Sequence, residues 1–288
     1  MGAREDWSSY WNAADTGSAC LPGAGGNAEG VLAGRWQDFA ARLPDGASVM
    51  DLACGRGAAG EAMLSERPDL AMRGVDYADI PNEGAAAFPV EGGVDLADLP
   101  LPDASIDAAI SQFGFEYAGD AAAGELARIL KPGGACRLLV HHRGSAVVAA
   151  NAVRADILSA LLSGHAIAFT RTRNAQRLQA LFDPLVRHFG EHALLLELAS
   201  ACRDALRLPD AERAGRCEAL EGGMQREAGL LRALAHAAMD AGDIDRLHSR
   251  TASDMDWHEP AVIRSDAGSG SADDGAILCW ELDGTKKA

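Results

Sequence analysis

The feature that most constrains this chain is the stretch Val49–Gly60, which reads VMDLACGRGAAG. Its apolar start predicts a short buried strand, and Gly55, Gly57 and Gly60 predict a tight turn followed by the first turn of a helix. Glycine permits the backbone conformations of such a turn and lets the backbone approach a ligand closely. The free N–H groups at the start of that helix would face the same ligand. The stretch therefore predicts a ligand-binding strand, turn and helix.

The acidic residues around this turn narrow the choice of ligand, because G-x-G-x-x-G alone also occurs in nicotinamide and flavin folds. Asp51 precedes the first glycine by four residues, Asp76 ends the next apolar run, and Asp95 follows about one strand later. Three acids at successive strand ends suit a ligand with a ribose, an adenine and an amino group. They suit a pyrophosphate poorly.

Four motifs in this order resemble those of the class I S-adenosylmethionine (SAM)-dependent methyltransferases. They are D-x-x-x-G-x-G from Asp51, the acid Asp76, D-x-x-x-L-P from Asp95 followed by Ser105-Ile106-Asp107, and Glu125–Gly134. The resemblance covers about residues 45–143 and returns weakly at the C-terminus. It implies SAM as cofactor and a doubly wound, seven-stranded Rossmann-like sheet with six parallel strands and an antiparallel last strand. It says almost nothing about the substrate.

The resemblance also implies where the cofactor is held. Gly55 and Gly57 would approach it through their backbone, with Asp51 near its amino-acid end. Asp76 would accept hydrogen bonds from both ribose hydroxyls. Each of these positions matches the family's motif in this sequence.

Later positions complete this expected site. Asp95 would contact the adenine amino group, with Leu96 supplying backbone and packing, and Ser111 or Gln112 would line the methionine end. Arg56 departs from the small or polar residue common at its position, and would either reach the cofactor's carboxylate or point to solvent. The full expected set is Trp11, Asp51, Ala53, Gly55, Arg56, Gly57, Asp76, Tyr77, Asp95, Leu96, Ser111 and Gln112.

Candidate catalytic residues follow the fourth and fifth predicted strands, since ligands of doubly wound sheets bind beyond the carboxyl ends of the strands. They are Glu116, Tyr117, His141 and His142. Strand side chains alternate between faces, so the two histidines should point in opposite directions, and a metal site built on this pair is not expected. Either one histidine faces the cleft as a general base, or one is packed and the other solvated.

The N-terminal segment carries Trp7, Tyr10 and Trp11, whose spacing places them on one face of a short helix. One interpretation is a helix packed on the core. The other is a lid over the cofactor's sulfonium, because aromatic faces attract cations. In many members of the family that the chain resembles, an N-terminal segment closes the site.

The pattern along the chain predicts four segments. Residues 1–28 form the N-terminal aromatic segment, and residues 29–146 form the cofactor-binding core. Residues 147–250 read as a helical insertion that covers the substrate or forms a homodimer, with a helical scaffold packed on the sheet as the alternative. Residues 251–288 read as a closing β-hairpin of the core.

The overall charge disfavours some classes of binding partner. The chain has 26 Lys and Arg against 42 Asp and Glu, a net charge of −16, which disfavours nucleic acids and anionic membrane surfaces. Its six cysteines form no C-x-x-C pair, so scattered reduced thiols without a metal are expected. We also expect no apolar run of membrane-spanning length and no signal peptide, hence a cytoplasmic location.

The leading hypothesis is a methyltransferase that acts on an O, N or S atom of a small-molecule acceptor. The alternative is an accessory or regulatory protein that binds SAM or S-adenosylhomocysteine without transferring a methyl group. A nicotinamide-dependent oxidoreductase is a third hypothesis. Asp51 before the glycines and the helix-to-strand turn Lys131–Gly134 argue against it.

Overall fold

The structure, a computed structural model, describes residues 3–12, 27–80, 86–265 and 275–288. Within these residues the chain forms two compact units. The first is built from the described parts of Met1–Ala149 and His236–Ala288, and the second is Ala150–Ala235. The β-sheet belongs to the first unit.

In the described residues, eight strands form one sheet. They are β1 (Ser48–Leu52), β2 (Ala71–Asp76), β3 (Val90–Gly92), β4 (Ile106–Gln112), β5 (Leu130–His141), β6 (Met255–Trp257), β7 (Ala261–Arg264) and β8 (Ile277–Lys286). Their order is β3-β2-β1-β4-β5-β8-β6, with β7 also paired to β8. The pairs among β1 to β5 are parallel, and β8 runs antiparallel to β5. The chain thus winds outward from β1 in both directions, as expected of a doubly wound fold.

The strands β6 and β7 lie end to end along one edge of β8. Met255 opposes Lys286 and Ala261 opposes Glu281, while the other edge of β8 pairs with β5. Eight strands therefore occupy seven positions of the sheet. The predicted C-terminal hairpin is present as β7 and β8, and residues 266–274 of the loop predicted between them lie outside the described residues.

Helices connect and cover the strands. They are α1 (Ala3–Asn12), α2 (Ala28–Ala40), α3 (Ala58–Glu66), α4 (Asp120–Ile129), α5 (Ala146–Ser163), α6 (Ala166–Arg171), α7 (Ala175–Phe189), α8 (Ala193–Arg207), α9 (Asp210–Ala237) and α10 (Ala241–Thr251). A short 3₁₀ turn, Phe115–Tyr117, follows β4. Most of residues 147–250 is helical, as the sequence predicts.

Hydrophobic residues fill a layer on each face of the sheet. On one face α2 and α3 bury Trp36, Phe39 and Met63. On the other face α4 and α10 bury Leu126 and Ile244. Because strand residues alternate between faces, strands that are covered on both sides must be apolar almost throughout.

The second unit has a hydrophobic core of its own. Ile157 of α5, Phe182 of α7 and Leu195 of α8 are buried in this core. The helix α7 continues through Pro184. The long helix α9 begins at Asp210, directly after Pro209.

The second unit is shorter than the predicted block of residues 147–250. The helix α10 belongs to the first unit, where it packs against α4 and buries Ile244. A capping box formed by Asp240 and Asp243 begins this helix. Apolar periodicity identifies an amphipathic helix but not the core that its apolar face meets, so the sequence pattern does not locate this boundary.

One helix in the described part of the chain, α5, is long and apolar enough to cross a membrane by length and composition alone. Its mean hydropathy is 1.5 over 18 residues. This corrects the expectation that the sequence has no such run. The same helix contributes Ile157, Leu158 and Leu161 to the core of the second unit, and core helices can meet the same criteria.

Candidate functional site

The glycine turn joins β1 to α3 through three residues with positive φ. Ala53 and Gly55 have φ of 52°, and Gly57 has φ of 85°. Gly57 immediately precedes the first residue of α3. The predicted strand, turn and helix are confirmed, and Ala53 adopts a left-handed conformation that is unfavourable for a residue with a Cβ.

Gly57 of the turn and Gly60 of α3 both lie against the ring of Phe88. A Cβ placed on Gly57 would lie 2.9 Å from the ring of Phe88, and one on Gly60 would lie 2.5 Å from it. Phe88 precedes β3 and is buried in the same core layer as α2 and α3. These two glycines therefore have a packing role that the motif alone does not reveal.

Asp76, the last residue of β2, is held by main-chain groups of its surroundings. Its Oδ2 accepts the N–H of Gly55 at 2.7 Å, and its Oδ1 accepts the N–H of Ala78 at 2.8 Å. The residue is 6% exposed, and burial raises its pKa. Each carboxylate oxygen keeps a second lone pair, so Asp76 can also accept hydrogen bonds from a ligand.

Asp51 of β1 is buried more deeply, at 1% exposure. Its Oδ2 accepts the N–H of Gly60 at 3.3 Å, and its Oδ1 has no hydrogen-bond partner in the described structure. Burial, with a smaller contribution from the charge of Asp76, raises the pKa of Asp51 to about 8. A buried carboxyl oxygen without a partner is stabilised by a ligand that donates a hydrogen bond or carries positive charge.

Asp95 lies beside Asp76, because the N–H of Val94 donates to the main-chain oxygen of Asp76 at 2.9 Å. The Asp95 carboxylate is exposed and accepts the N–H two residues later at 2.9 Å. Leu96 is buried in the core, and Tyr77 is 42% exposed. The structure thus brings the ends of β1, β2 and β3 together, with Asp95 on the solvent side.

Ser111 and Gln112 are both engaged by protein groups. The Oγ of Ser111 donates to the main-chain oxygen of Leu52 at 2.7 Å and accepts the N–H of Phe115 at 3.1 Å. The Oε1 of Gln112 accepts from the indole Nε1 of Trp36 at 2.7 Å. Ser111 therefore ties the end of β4 to β1 and to the 3₁₀ turn.

The helix α1 lies against the glycine turn. A Cβ placed on Gly55 would lie 2.3 Å from the indole ring of Trp11. The guanidinium of Arg56 donates to the main-chain oxygen of Trp11 at 2.5 Å, so this side chain binds α1 instead of pointing to solvent. Towards the start of α1, Arg4 pairs with Asp79 at 2.6 Å.

A row of aromatic rings leads from the glycine turn to the end of β5. We call it the aromatic row; its members are Trp11, Tyr10, Trp7, Tyr117 and His141. Successive ring centroids lie 5.2, 5.8, 5.2 and 6.1 Å apart, with near-perpendicular ring planes. The aromatic residues of α1 thus lie on one side of the helix, as their spacing predicts, and meet the candidate catalytic residues.

His141 and Glu116 form a buried pair at the end of β5. The Oε1 of Glu116 lies 2.6 Å from the Nδ1 of His141 and also accepts the main-chain N–H of His141 at 2.8 Å. Both side chains are fully buried. The Nε2 of His141 and the Oε2 of Glu116 have no hydrogen-bond partner in the described residues. Phe113 packs on the imidazole, with ring centroids 4.5 Å apart.

His142 points away from this pair, as strand alternation predicts. Its ring stacks on Trp280 at 4.6 Å, and its Nδ1 accepts the N–H of Gly144 at 2.8 Å. Partial burial lowers its pKa. Of the four candidate catalytic residues, the structure brings together Glu116, Tyr117 and His141 and leaves His142 apart. Among the described residues, no group of three or more His, Cys, Asp or Glu side chains could hold a metal ion.

Comparison with known proteins bears on this site. Residues 50–138 match a family model described as a methyltransferase domain. No curated protein matches the chain. The matched segment contains the glycine turn and the acids at the ends of β1 and β2.

Solved structures give weaker likenesses. The chain is 28% identical to a Haloferax volcanii chain from a complex between the Trm112 methyltransferase activator and a methyltransferase, over 41% of this chain and 62% of that one, with a TM-score of 0.33. It is 24% identical to a SAM-dependent methyltransferase from Mesorhizobium loti, over 38% and 54%, with a TM-score of 0.31. A plantazolicin methyltransferase in complex with S-adenosylhomocysteine is 12% identical over 99% and 90%, with a TM-score of 0.47.

The chain spans 62% and 54% of the lengths of the first two of these structures. The family model and the motifs cover the part of the chain that contains β2 to β4, most of β1 and β5, and the glycine turn. Over residues 50–138 the chain is therefore similar to a methyltransferase domain.

Proposed function

We propose that this protein transfers a methyl group from SAM to an O, N or S atom of a small molecule. The observation that carries the proposal is the arrangement of Asp51 and Asp76 around Gly55. Asp76 accepts the N–H of Gly55, and Asp51 keeps an unpartnered oxygen in the adjacent strand. Ligands of doubly wound sheets bind at this edge.

The residues present fit SAM. Asp76 has free lone pairs for ribose hydroxyls. The unpartnered oxygen of Asp51 suits the cofactor's ammonium group. The rings of α1, of which Trp11 lies on the turn, suit a sulfonium because aromatic faces attract cations. When bound, SAM supplies an electrophilic methyl group.

The protein's own contribution is to hold two reactants in contact and to exclude water, because methyl transfer is an in-line displacement. The helix α1 supports such a role. It lies on the glycine turn through Trp11, and it is held there by Arg56 and by the pair of Arg4 with Asp79. We therefore propose α1 as a cover over the cofactor.

Two observations support a small-molecule acceptor: the negative net charge of the chain and the burial of Glu116 and His141. The net charge of −16 opposes binding of a phosphate backbone. The side chains of Glu116 and His141, at the far end of the aromatic row, are fully buried, so an acceptor that reaches them has to enter an enclosed space.

The first experiment is a thermal shift with S-adenosylhomocysteine, run beside NAD. At about 100-fold over its dissociation constant a ligand stabilises the native state by roughly 2.7 kcal/mol, a rise of a few degrees for a chain of this size. We expect a shift with S-adenosylhomocysteine alone, and its loss in Asp76→Ala. The exposed Asp98→Ala, in the loop after β3, is the matched control.

Turnover is then measured as S-adenosylhomocysteine released from SAM in the presence of a panel of hydroxyl, amine and thiol acceptors. A shift with NAD alone would overturn the cofactor assignment. Tight binding of S-adenosylhomocysteine without turnover of any acceptor, together with a stable protein partner, would instead favour the accessory role.

A further inference from the structure

The Glu116–His141 pair leaves two polar atoms unpartnered inside the protein. Glu116 Oε1 engages both the main-chain N–H and the Nδ1 of His141, while Oε2 and Nε2 engage nothing among the described residues. Buried polar groups in native proteins are almost always hydrogen-bonded. Two such atoms, on paired side chains with no exposed surface, point to a hydrogen-bonding ligand.

The hydrogen bonds fix the chemistry that His141 can perform. A carboxylate beside Nδ1 holds the proton on that nitrogen, so the lone pair of the neutral imidazole lies on Nε2. The same carboxylate stabilises the imidazolium that forms when Nε2 takes a proton. This is the arrangement of a general base and the residue that positions it.

The surroundings favour an aromatic acceptor. Phe113 packs on the imidazole and Tyr117 meets it edge-on, and aromatic rings pair favourably with one another. The sulfonium of the cofactor repels a cationic acceptor. An aromatic hydroxyl is not cationic and carries a proton for Nε2 to remove.

Resting on the proposed function, we propose that His141 is the general base of the reaction, that Glu116 positions it, and that the acceptor is a phenol. In the step, the hydroxyl proton moves to Nε2 of His141. The oxygen forms its bond to the methyl carbon while the carbon–sulfur bond breaks, and its electron pair stays on sulfur. His141 then releases the proton to water.

The test compares phenol with 4-nitrophenol as acceptors, because 4-nitrophenol ionises in water near neutral pH without a base. His141→Gln should lower kcat for phenol by about 10²–10⁴-fold, the range for loss of a general base, and lower kcat for 4-nitrophenol far less. The thermal shift with S-adenosylhomocysteine should be unchanged. His142→Gln, the neighbouring histidine on the opposite face, is the matched control.

Glu116→Gln tests positioning. It preserves size but removes the carboxylate, so kcat for phenol should fall while KM changes little. A second readout needs no turnover. In the complex with S-adenosylhomocysteine, bound 4-nitrophenol should become the coloured phenolate at a lower pH in the unmodified protein than in His141→Gln.

A third measurement needs no variant and covers the case in which His141→Gln does not fold. The unmodified protein should have a solvent deuterium isotope effect on kcat for phenol that is absent for 4-nitrophenol. Equal losses for both phenols in His141→Gln, no isotope effect for phenol, or methylation of amines but of neither phenol would overturn the proposal. In each case a retained shift with S-adenosylhomocysteine leaves the proposed function standing, whereas no shift in the unmodified protein would overturn that function itself.

Discussion

Trp11 of α1 lies directly against Gly55 of the glycine turn, at a distance that leaves no room for a side chain. A Cβ on Gly55 would lie 2.3 Å from the indole ring. The same glycine has a φ of 52° and donates its N–H to Asp76 at 2.7 Å. Gly55 therefore leaves space for the Trp11 ring, adopts a positive φ and donates a hydrogen bond to Asp76. Through these contacts it links α1 to β1 and β2.

Gly55→Ala is expected to destabilise the protein for a steric and for a conformational reason. The left-handed conformation costs roughly 1–2 kcal/mol for a residue with a Cβ, and crowding against Trp11 adds about 1–3 kcal/mol. Chemical denaturation measures the sum. Gly46→Ala is the matched control, because Gly46 has a φ of 65° and open space around its Cβ position, so it reports the cost of a positive φ without crowding.

The contact itself is tested by repeating Gly55→Ala in a Trp11→Ala background. There the cost should fall to that of Gly46→Ala, since the ring that the new methyl group meets is gone. An equal cost in both backgrounds would contradict the contact between α1 and the turn in solution.

Asp51 is expected to make the protein less stable as the pH rises. Its carboxyl has a pKa of about 4 in the unfolded chain, and burial raises it to about 8 in the folded protein. Between these values the unfolded state has lost a proton that the folded state keeps, so the free energy of unfolding falls by about 1.4 kcal/mol per pH unit, and levels off above about pH 8. Asp51→Asn cannot ionise and should remove this slope.

Asp107 supplies a control in the same denaturation series, because its effect on the pH dependence of stability is opposite in sign to that of Asp51. Hydrogen bonds from Lys131 and Ser48 lower the pKa of Asp107 to about 2. Its contribution to stability is therefore fully present above about pH 4 and is lost as the pH falls. Asp107→Asn should weaken the protein at neutral pH and leave the slope due to Asp51 unchanged. Because burial also raises the pKa of Asp76, a smaller slope of the same sign can remain in Asp51→Asn. A slope as steep as that of the unmodified protein would contradict a protonated Asp51 in the folded state.

The parts of the site that the sequence predicts are those encoded locally. The turn after β1 follows from the spacing of Gly55 and Gly57, and the acids Asp51 and Asp76 follow from apolar runs that end in a carboxylate. Parallel strands then bring their carboxyl ends to one edge, so strand order alone gathers these residues. The position of Trp11 on one face of α1 also follows from local spacing.

The parts that the sequence does not predict depend on tertiary contacts. Glu116 and His141 lie 25 positions apart and follow different strands, so each is a candidate by residue type but their pairing is visible only in the fold. Phe88 carries no motif, yet its ring explains two glycines of G-x-G-x-x-G. Arg56 binds the main chain of Trp11, a contact that no short-range pattern indicates.

The buried ion pair between Arg137 of β5 and Asp283 of β8 should contribute strongly to the stability of the first unit. Arg137 is 1% exposed and donates to both carboxylate oxygens of Asp283, at 2.7 and 2.6 Å. Asp283→Asn leaves a buried guanidinium only partly compensated by Glu281, 3.4 Å away, and should cost about 3–5 kcal/mol in chemical denaturation. Asp204→Asn, which breaks an exposed pair with Arg207, should have little effect.

Removing both partners gives the decisive comparison for this pair. Arg137→Met combined with Asp283→Leu should cost less than Asp283→Asn alone, because no charge is left without its partner. A double variant as unstable as the sum of its single variants would mean that the two side chains act independently.

Ser111→Ala separates a structural role from a cofactor contact. The hydroxyl already donates to Leu52 and accepts from Phe115, so its removal takes one hydrogen bond from each of two buried main-chain groups and should cost about 1–3 kcal/mol of stability. Affinity for S-adenosylhomocysteine, measured by calorimetry, should stay the same. Ser105→Ala, which removes an exposed hydroxyl that donates to Pro102, is the control for stability. A large loss of affinity without loss of stability would assign Ser111 to the cofactor's methionine end, and the 3₁₀ turn that carries Glu116 would then need another anchor.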